Sequence, residues 1–110
     1  MPITITILYA AEPDLKFDLD HFMDHHVPRV LKEFGPFGLK AFRVVQLRGS
    51  PFQPGTSQDF MFQIQQDWDT LADFQRGSEA VGEELGKHVA TFSNKYPLVM
   101  YGDILKEHHL

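Results

Sequence analysis

Apolar and polar positions alternate in four short stretches of the chain and recur at helical spacing in two longer ones. ITITILY (residues 3–9) has the period of two and the β-branched content of a strand. KAFRVVQL (residues 40–47) predicts a second strand and DFMFQIQ (residues 59–65) a third. In the third, Phe60, Phe62 and Ile64 share one face, and Met61, Gln63 and Gln65 the other. PLVMYGDIL (residues 97–105) closes the chain as a fourth strand. Between the first two strands, Leu19, Phe22, Met23, Val27, Val30, Leu31 and Phe34 mark the apolar stripe of a helix. Asp18 is placed to cap it, with Phe17 and Phe22 as a hydrophobic staple around the cap. GPFG (residues 35–38) ends it. The second helix is expected from Trp68 to about Arg76 with Asp67 as its cap. Gly77 is expected to break or bend it. Ser78 then caps a continuation carrying Val81, Leu85, Val89 and Phe92. Gly82 and Gly86 each cost that continuation about 1 kcal/mol relative to alanine.

The element order is β-α-β-β-α-β. It predicts one α+β domain over residues 1–110, ferredoxin-like, with a four-stranded antiparallel sheet and both helices on one face. The opposite sheet face is expected to show Thr4, Thr6, Leu8, Gln63, Val99 and Tyr101, among others. That mixture is too apolar for an open wet surface and too polar for a plain core. Sheet-to-sheet pairing of two copies would cover it.

Composition narrows the function. The net charge is −5, and basic residues such as Lys16, Arg29, Lys40 and Arg43 are scattered singly. A nucleic-acid or anionic-membrane partner would need a basic stripe, so neither is expected. There is no cysteine, which excludes disulfides, thiolate metal sites and a cysteine nucleophile. MPITITILYA lacks the basic start and apolar helix of a signal peptide, so a cytoplasmic protein is expected. Ten phenylalanines suggest a ring-lined core and an apolar pocket or subunit interface.

Three of the six histidines fall within DHFMDHHVPRV (residues 20–30). At about 100° per residue from Leu19, the residues Phe22, Met23, His26, Val30 and Phe34 fall within roughly 60° of it. His21 and His25 fall on the far side, near Lys32. One histidine of the triplet therefore faces in and two face water. Pro28 removes the N–H that would bond to the carbonyl of Asp24, which predicts a kink or break beside His26. On the later helix His88 falls inside the arc of Val81, Leu85 and Phe92. The two inward imidazoles, His26 and His88, are expected to share one pocket. A histidine on an apolar stripe is often a packed core residue, and this alternative stands beside the functional one. His21 and His25 have a chelating spacing but no obvious third ligand beyond Asp18 or Asp24, so no metal is expected. His108 and His109 lie in a terminal tail.

FDLDHFMDHHVP and HVATFSNKYPLVMYGDI together resemble the EthD family, named for a protein of ethyl tert-butyl ether degradation. Tyr9, Phe17, Asp18, Asp20, His26 and Pro28 match its early motifs, and Phe92, Ser93 and Pro97 its late one. Paired tyrosines of the family stand here as His21 and Phe22, and an aspartate as His88. The resemblance implies a dimeric α/β barrel, two sheets packed face to face as a homodimer. It also implies relatives that include cofactor-free cyclases, dehydratases, decarboxylases and quinone-forming monooxygenases, as well as haem-degrading enzymes.

Four functions compete. The first is a small cofactor-independent enzyme acting on an apolar, carbonyl-bearing molecule, an oxidoreductase or lyase in class. His26 is then the catalytic acid or base, and His88 its hydrogen-bond partner or the holder of an oxyanion. Tyr9, Gln63 and Tyr101 orient the substrate, and Phe22 and Phe92 help wall it in. The second is a non-catalytic accessory protein that binds a hydrophobic ligand of a degradation pathway. The third is haem binding through His26 or His88, and the fourth a purely structural role.

Overall fold

The computed structural model describes residues 1–110. Its main sheet has four strands: β1 (Ile3–Ala10), β2 (Leu39–Gln46), β5 (Phe60–Trp68) and β6 (Leu98–Asp103). Their spatial order is β2-β5-β1-β6, every neighbouring pair antiparallel. The loop after β2 folds into a two-residue hairpin, β3 (Gly49–Ser50) and β4 (Gln53–Pro54). Two long helices, residues 19–34 and 71–91, lie on one face. This is the ferredoxin-like arrangement expected from the element order.

The alternation sorts the sheet into two faces. Ile3, Ile5 and Tyr9 of β1 and Phe62, Ile64, Gln66 and Trp68 of β5 are buried beneath the helices. One cluster joins Ile3, Ile5 and Trp68 to Val30, Phe34 and Leu85. A second joins Tyr9, Phe62 and Ile64 to Phe22, Val89 and Phe92. Strand β5 runs on to Trp68, and the second helix begins at Leu71 with the Thr70 hydroxyl accepting from the N–H of Asp73. Asp67 is thus not the cap. The period of two holds through Gln66 and Trp68 because both side chains have inward places to fill.

The first helix starts where the sequence indicates. The Asp18 carboxylate accepts from the N–H of His21 at 3.0 Å, and the Phe17 and Phe22 rings pack 5.3 Å apart. Pro28 neither breaks nor caps it. Phe22–His26 winds as one wide π turn, in which the N–H of Val27 donates to the carbonyl of Phe22. The wider turn takes up the bond that Pro28 cannot make and the crowding of its ring. The second helix also runs through without a break. Gly77 is helical and buried, Ser78 makes no cap, and residues Ser78–Gly82 form a second π turn.

Strand β6 corrects one face assignment. Val99 stands opposite Ile7 and Tyr101 opposite Ile5, so both point to the helix side. Leu98 and Met100 take the outer face with Thr4, Thr6, Leu8 and Gln63. The strand's parity is set by its pairing with β1, a register its own sequence does not encode.

Gly77 shows how closely the helices meet. A β-carbon there would lie 3.2 Å from both the Phe34 ring and the β-carbon of Phe37. Gly77→Val should therefore destabilise the fold by about 1–3 kcal/mol through overpacking, seen as a lower urea midpoint.

Candidate active site

A clamp of backbone bonds brings the two helices together at one end. The N–H of Asp18 donates to the carbonyl of Phe92 at 2.7 Å, and that of Asn94 to the carbonyl of Lys16 at 3.1 Å. The Asn94 side chain holds Lys16 and Asp14 in turn. The start of the first helix is thereby fixed against the end of the second, and His26 comes to face Phe92 and His88.

His26 points inward. Its ring stacks on Phe22 at 5.6 Å and lies 4.8 Å from the ring of Phe92. His21 and His25 turn outward, with His25 exposed, and stack on each other at 4.5 Å. His26 lines a cavity of about 330 Å³ between the second helix and β6. That volume lies in the range of small-molecule sites, roughly 300–1,000 Å³. The walls are mainly apolar, and the second helix contributes Ser78, Gly82, Leu85, Gly86 and Val89 as one stripe. Nothing lies within 4 Å of where a Gly86 β-carbon would stand, so the missing side chain leaves that wall open. A smaller void of about 30 Å³ adjoins it beneath Phe22 and is lined by His26, Tyr9 and Gln66 as well.

Three polar residues, His26, Tyr9 and Gln66, line this space. Nδ1 of His26 is buried and makes no hydrogen bond. Tyr9 is buried, and burial raises the pKa of its phenol, so the hydroxyl stays protonated. Gln66 is 5% exposed and its Oε1 accepts from the indole N–H of Trp68 at 3.3 Å. Since that indole can only donate, it fixes the amide orientation and leaves the NH2 group free to donate. An imidazole and two neutral donor side chains therefore line one apolar chamber.

Burial, above all, pushes the His26 pKa down to about 4, and positive charge on the neighbouring His88–Arg29 pair and at His21 adds to the effect. The ring is neutral at pH 7. His88 lies 6.3 Å from it, ring centre to ring centre, too far for a direct bond. Its Nε2 instead accepts from the guanidinium of Arg29 at 2.8 Å. His88 is thus near His26 but is not its hydrogen-bond partner.

The remaining expected site residues divide. Tyr9 lines both cavities, Phe22 the smaller one, and Phe92 packs against His26 from outside. Gln63 does not reach the chamber. It pairs with Leu8 and Val45 on the outer sheet face, one residue out of phase with the inward side chains. Tyr101 is on the inner side but 56% exposed and clear of the cavity wall. Gln66 and Arg29 were not singled out by the sequence. Parity with Phe62 and Ile64 points Gln66 inward once the strand is extended, whereas Arg29 carries no signal of its partner 59 residues away. No group of three metal-ligating side chains gathers anywhere, His21 and His25 included. An apolar groove of about 440 Å³ between Met23, Val27 and Leu31 and strand β2 has Lys40 as its one titratable group, and so offers no acid–base pair.

No protein-family model matches the sequence, and no curated protein does. Solved structures do match in fold. An EthD-like protein from Ralstonia eutropha superposes with a TM-score of 0.86 at 20% identity, over 97% of this chain and 95% of that one. An ethyl tert-butyl ether degradation (EthD) family protein from Bacillus halodurans gives 0.72 at 24% identity, over 96% and 100%. SnoaB, a cofactor-independent oxygenase from Streptomyces nogalater, gives 0.69 at 11% identity, over 96% and 95%. The fold is thus that of EthD-like proteins along nearly the whole chain, as the sequence motifs suggested.

The depressed pKa of His26 has a consequence for stability. The unfolded chain takes up this proton near pH 6.5 and the folded chain near 4. As pH falls through that window the unfolded state binds more protons, so stability is lost, and below about 4 the contribution is flat. His26→Gln should lose less stability than the parent between pH 6.5 and 4, as measured by urea midpoints at both values.

Proposed function

We propose that this protein is a small enzyme that removes and returns a proton next to the carbonyl of an apolar small molecule, working without a bound cofactor. The observation that carries this reading is the neutral imidazole of His26 in the wall of a chamber it shares with Tyr9 and Gln66. The neutral imidazole takes a proton from the carbon beside the carbonyl. The electron pair of that C–H bond moves to the carbonyl oxygen as an enolate. The hydroxyl of Tyr9 and the amide of Gln66 donate to this oxygen, and a low-dielectric wall strengthens both bonds. The imidazolium then returns the proton to carbon or to oxygen, and the ring is neutral again. Such a step serves an isomerisation, and it opens a cyclisation or a loss of water. The likeness in fold to a cofactor-independent oxygenase and to EthD-like proteins is compatible with this chemistry.

The same apolar walls also favour a second reading, an accessory protein that holds a hydrophobic carbonyl compound without changing it. Exchange of α-hydrogens in D2O separates the two. Aryl ketones and 1,3-diketones should exchange in the presence of the protein. His26→Gln should slow that exchange by roughly 10²–10⁴-fold, and Gln66→Leu by about 10²–10³-fold, while the melting temperature of the His26 variant stays near the parent value. Binding of these ligands with no exchange above the buffer rate would leave the accessory role.

The unit is proposed to be a homodimer through the outer sheet face. Leu98 and Met100 there are 56% and 48% exposed, next to Thr6 and Leu8 across the strand pair. No helix of the chain covers this side, and no helix is long and apolar enough to cross a membrane. Leu98→Asp combined with Met100→Asp should turn a dimer into a monomer in light scattering, whereas an unchanged mass would exclude this face.

A further inference from the structure

Arg29 lies outside the cavity wall, yet it is half-buried and spends its guanidinium on a neutral imidazole rather than on a carboxylate. A guanidinium is always charged and can only donate. The 2.8 Å bond therefore requires Nε2 of His88 to be the acceptor. That fixes His88 as the neutral tautomer with its proton on Nδ1, because a protonated ring would have no lone pair to offer Arg29. The charge of this pair thus belongs to Arg29, and it sits behind an imidazole 6.3 Å from the ring of His26.

The surroundings of His26 contain nothing to offset that charge. On its own helix it faces His21 and Arg29, on the second helix His88, on β1 the phenol of Tyr9, and on β5 the neutral amide of Gln66. Neither cavity that His26 lines has an aspartate or glutamate in its wall. Histidines that work as bases are commonly backed by a carboxylate, which favours their charged form. Here the position behind the base holds a cation.

We propose that Arg29 is a positioning residue that acts through His88, holding a permanent positive charge behind His26 so that this ring stays an unprotonated base and readily gives back any proton it takes. The proposal rests on His26 being the base of the reaction.

The test reads protonation of His26 directly, by NMR titration of the histidine rings in the full-length protein. In the parent, the His26 ring should remain neutral until the pH falls to about 4. Removing a unit charge at this range should raise the proton affinity of His26 about tenfold in Arg29→Met. Arg29→Gln, which keeps a donor for His88 but not the charge, should give the same rise. Arg29→Lys, which keeps the charge, should leave the His26 curve near that of the parent. If Arg29→Met does not fold, as judged by circular dichroism, Arg29→Gln decides the outcome. A His26 curve that stays at the parent position in the uncharged variants overturns the proposal. The titration does not depend on turnover. A shifted curve together with full α-hydrogen exchange in His26→Gln would remove His26 as the base, while the charge of Arg29 at His26 would stand.

Discussion

The structure depends on one packing constraint: two helices on one face of a four-stranded sheet do not cover all of it. They seal the inward side chains of β1 and β5, where Ile3, Ile5, Ile64 and Trp68 are almost fully buried, and leave Phe42 and Val44 of β2 half-buried. Strand β6 lies at the edge. Its inward residues Val99 and Tyr101 remain more than half exposed. The uncovered strip between the second helix and β6 becomes the chamber, and His26 stands at its inner end. Glycines at 82 and 86, which weaken a helix by propensity, keep this strip from being filled. The local cost to the helix and the open wall of the site thus come from the same two residues.

Two π turns place the chemistry. In the first helix the wide turn at Phe22–His26 accommodates Pro28 and keeps Phe22 and His26 on one side, where the rings stack. In the second helix Ser78–Gly82 does the same for the cavity stripe. Such turns are often found at functional sites, since the inserted residue frees backbone and re-aims side chains. The backbone clamp of Asp18 and Asn94 then holds the two helices at a fixed separation.

The electrostatics of the site run opposite to the common pattern for an acid–base histidine. Burial comes first, and cations rather than carboxylates come next. Both favour a neutral imidazole. Tyr9 is likewise held in its neutral form by burial. The chamber therefore contains no net charge of its own, which suits an apolar guest whose polarity is confined to one oxygen. Charge enters only from behind, through Arg29 and His88.

Much of this was legible in the sequence because the relevant signals are local. The period of two in Phe60, Phe62 and Ile64 and the spacing of Leu19, Phe22 and Val30 fix the elements and their inward faces. Asp18 fixes the start of the first helix. The inward direction of His26 and the outward direction of His21 and His25 follow from helix geometry alone. Other features were settled only by tertiary structure, because they join residues far apart in the chain. The inward face of β6 is set by its pairing with Ile5 and Ile7. Gln66 rather than Gln63 reaches the chamber because β5 continues to Trp68, which needs a partner for its indole. The bond between Arg29 and His88 spans 59 residues. Side chains on two separate helices meet only when a shared sheet sets the distance between them, and no spacing within either helix carries that distance.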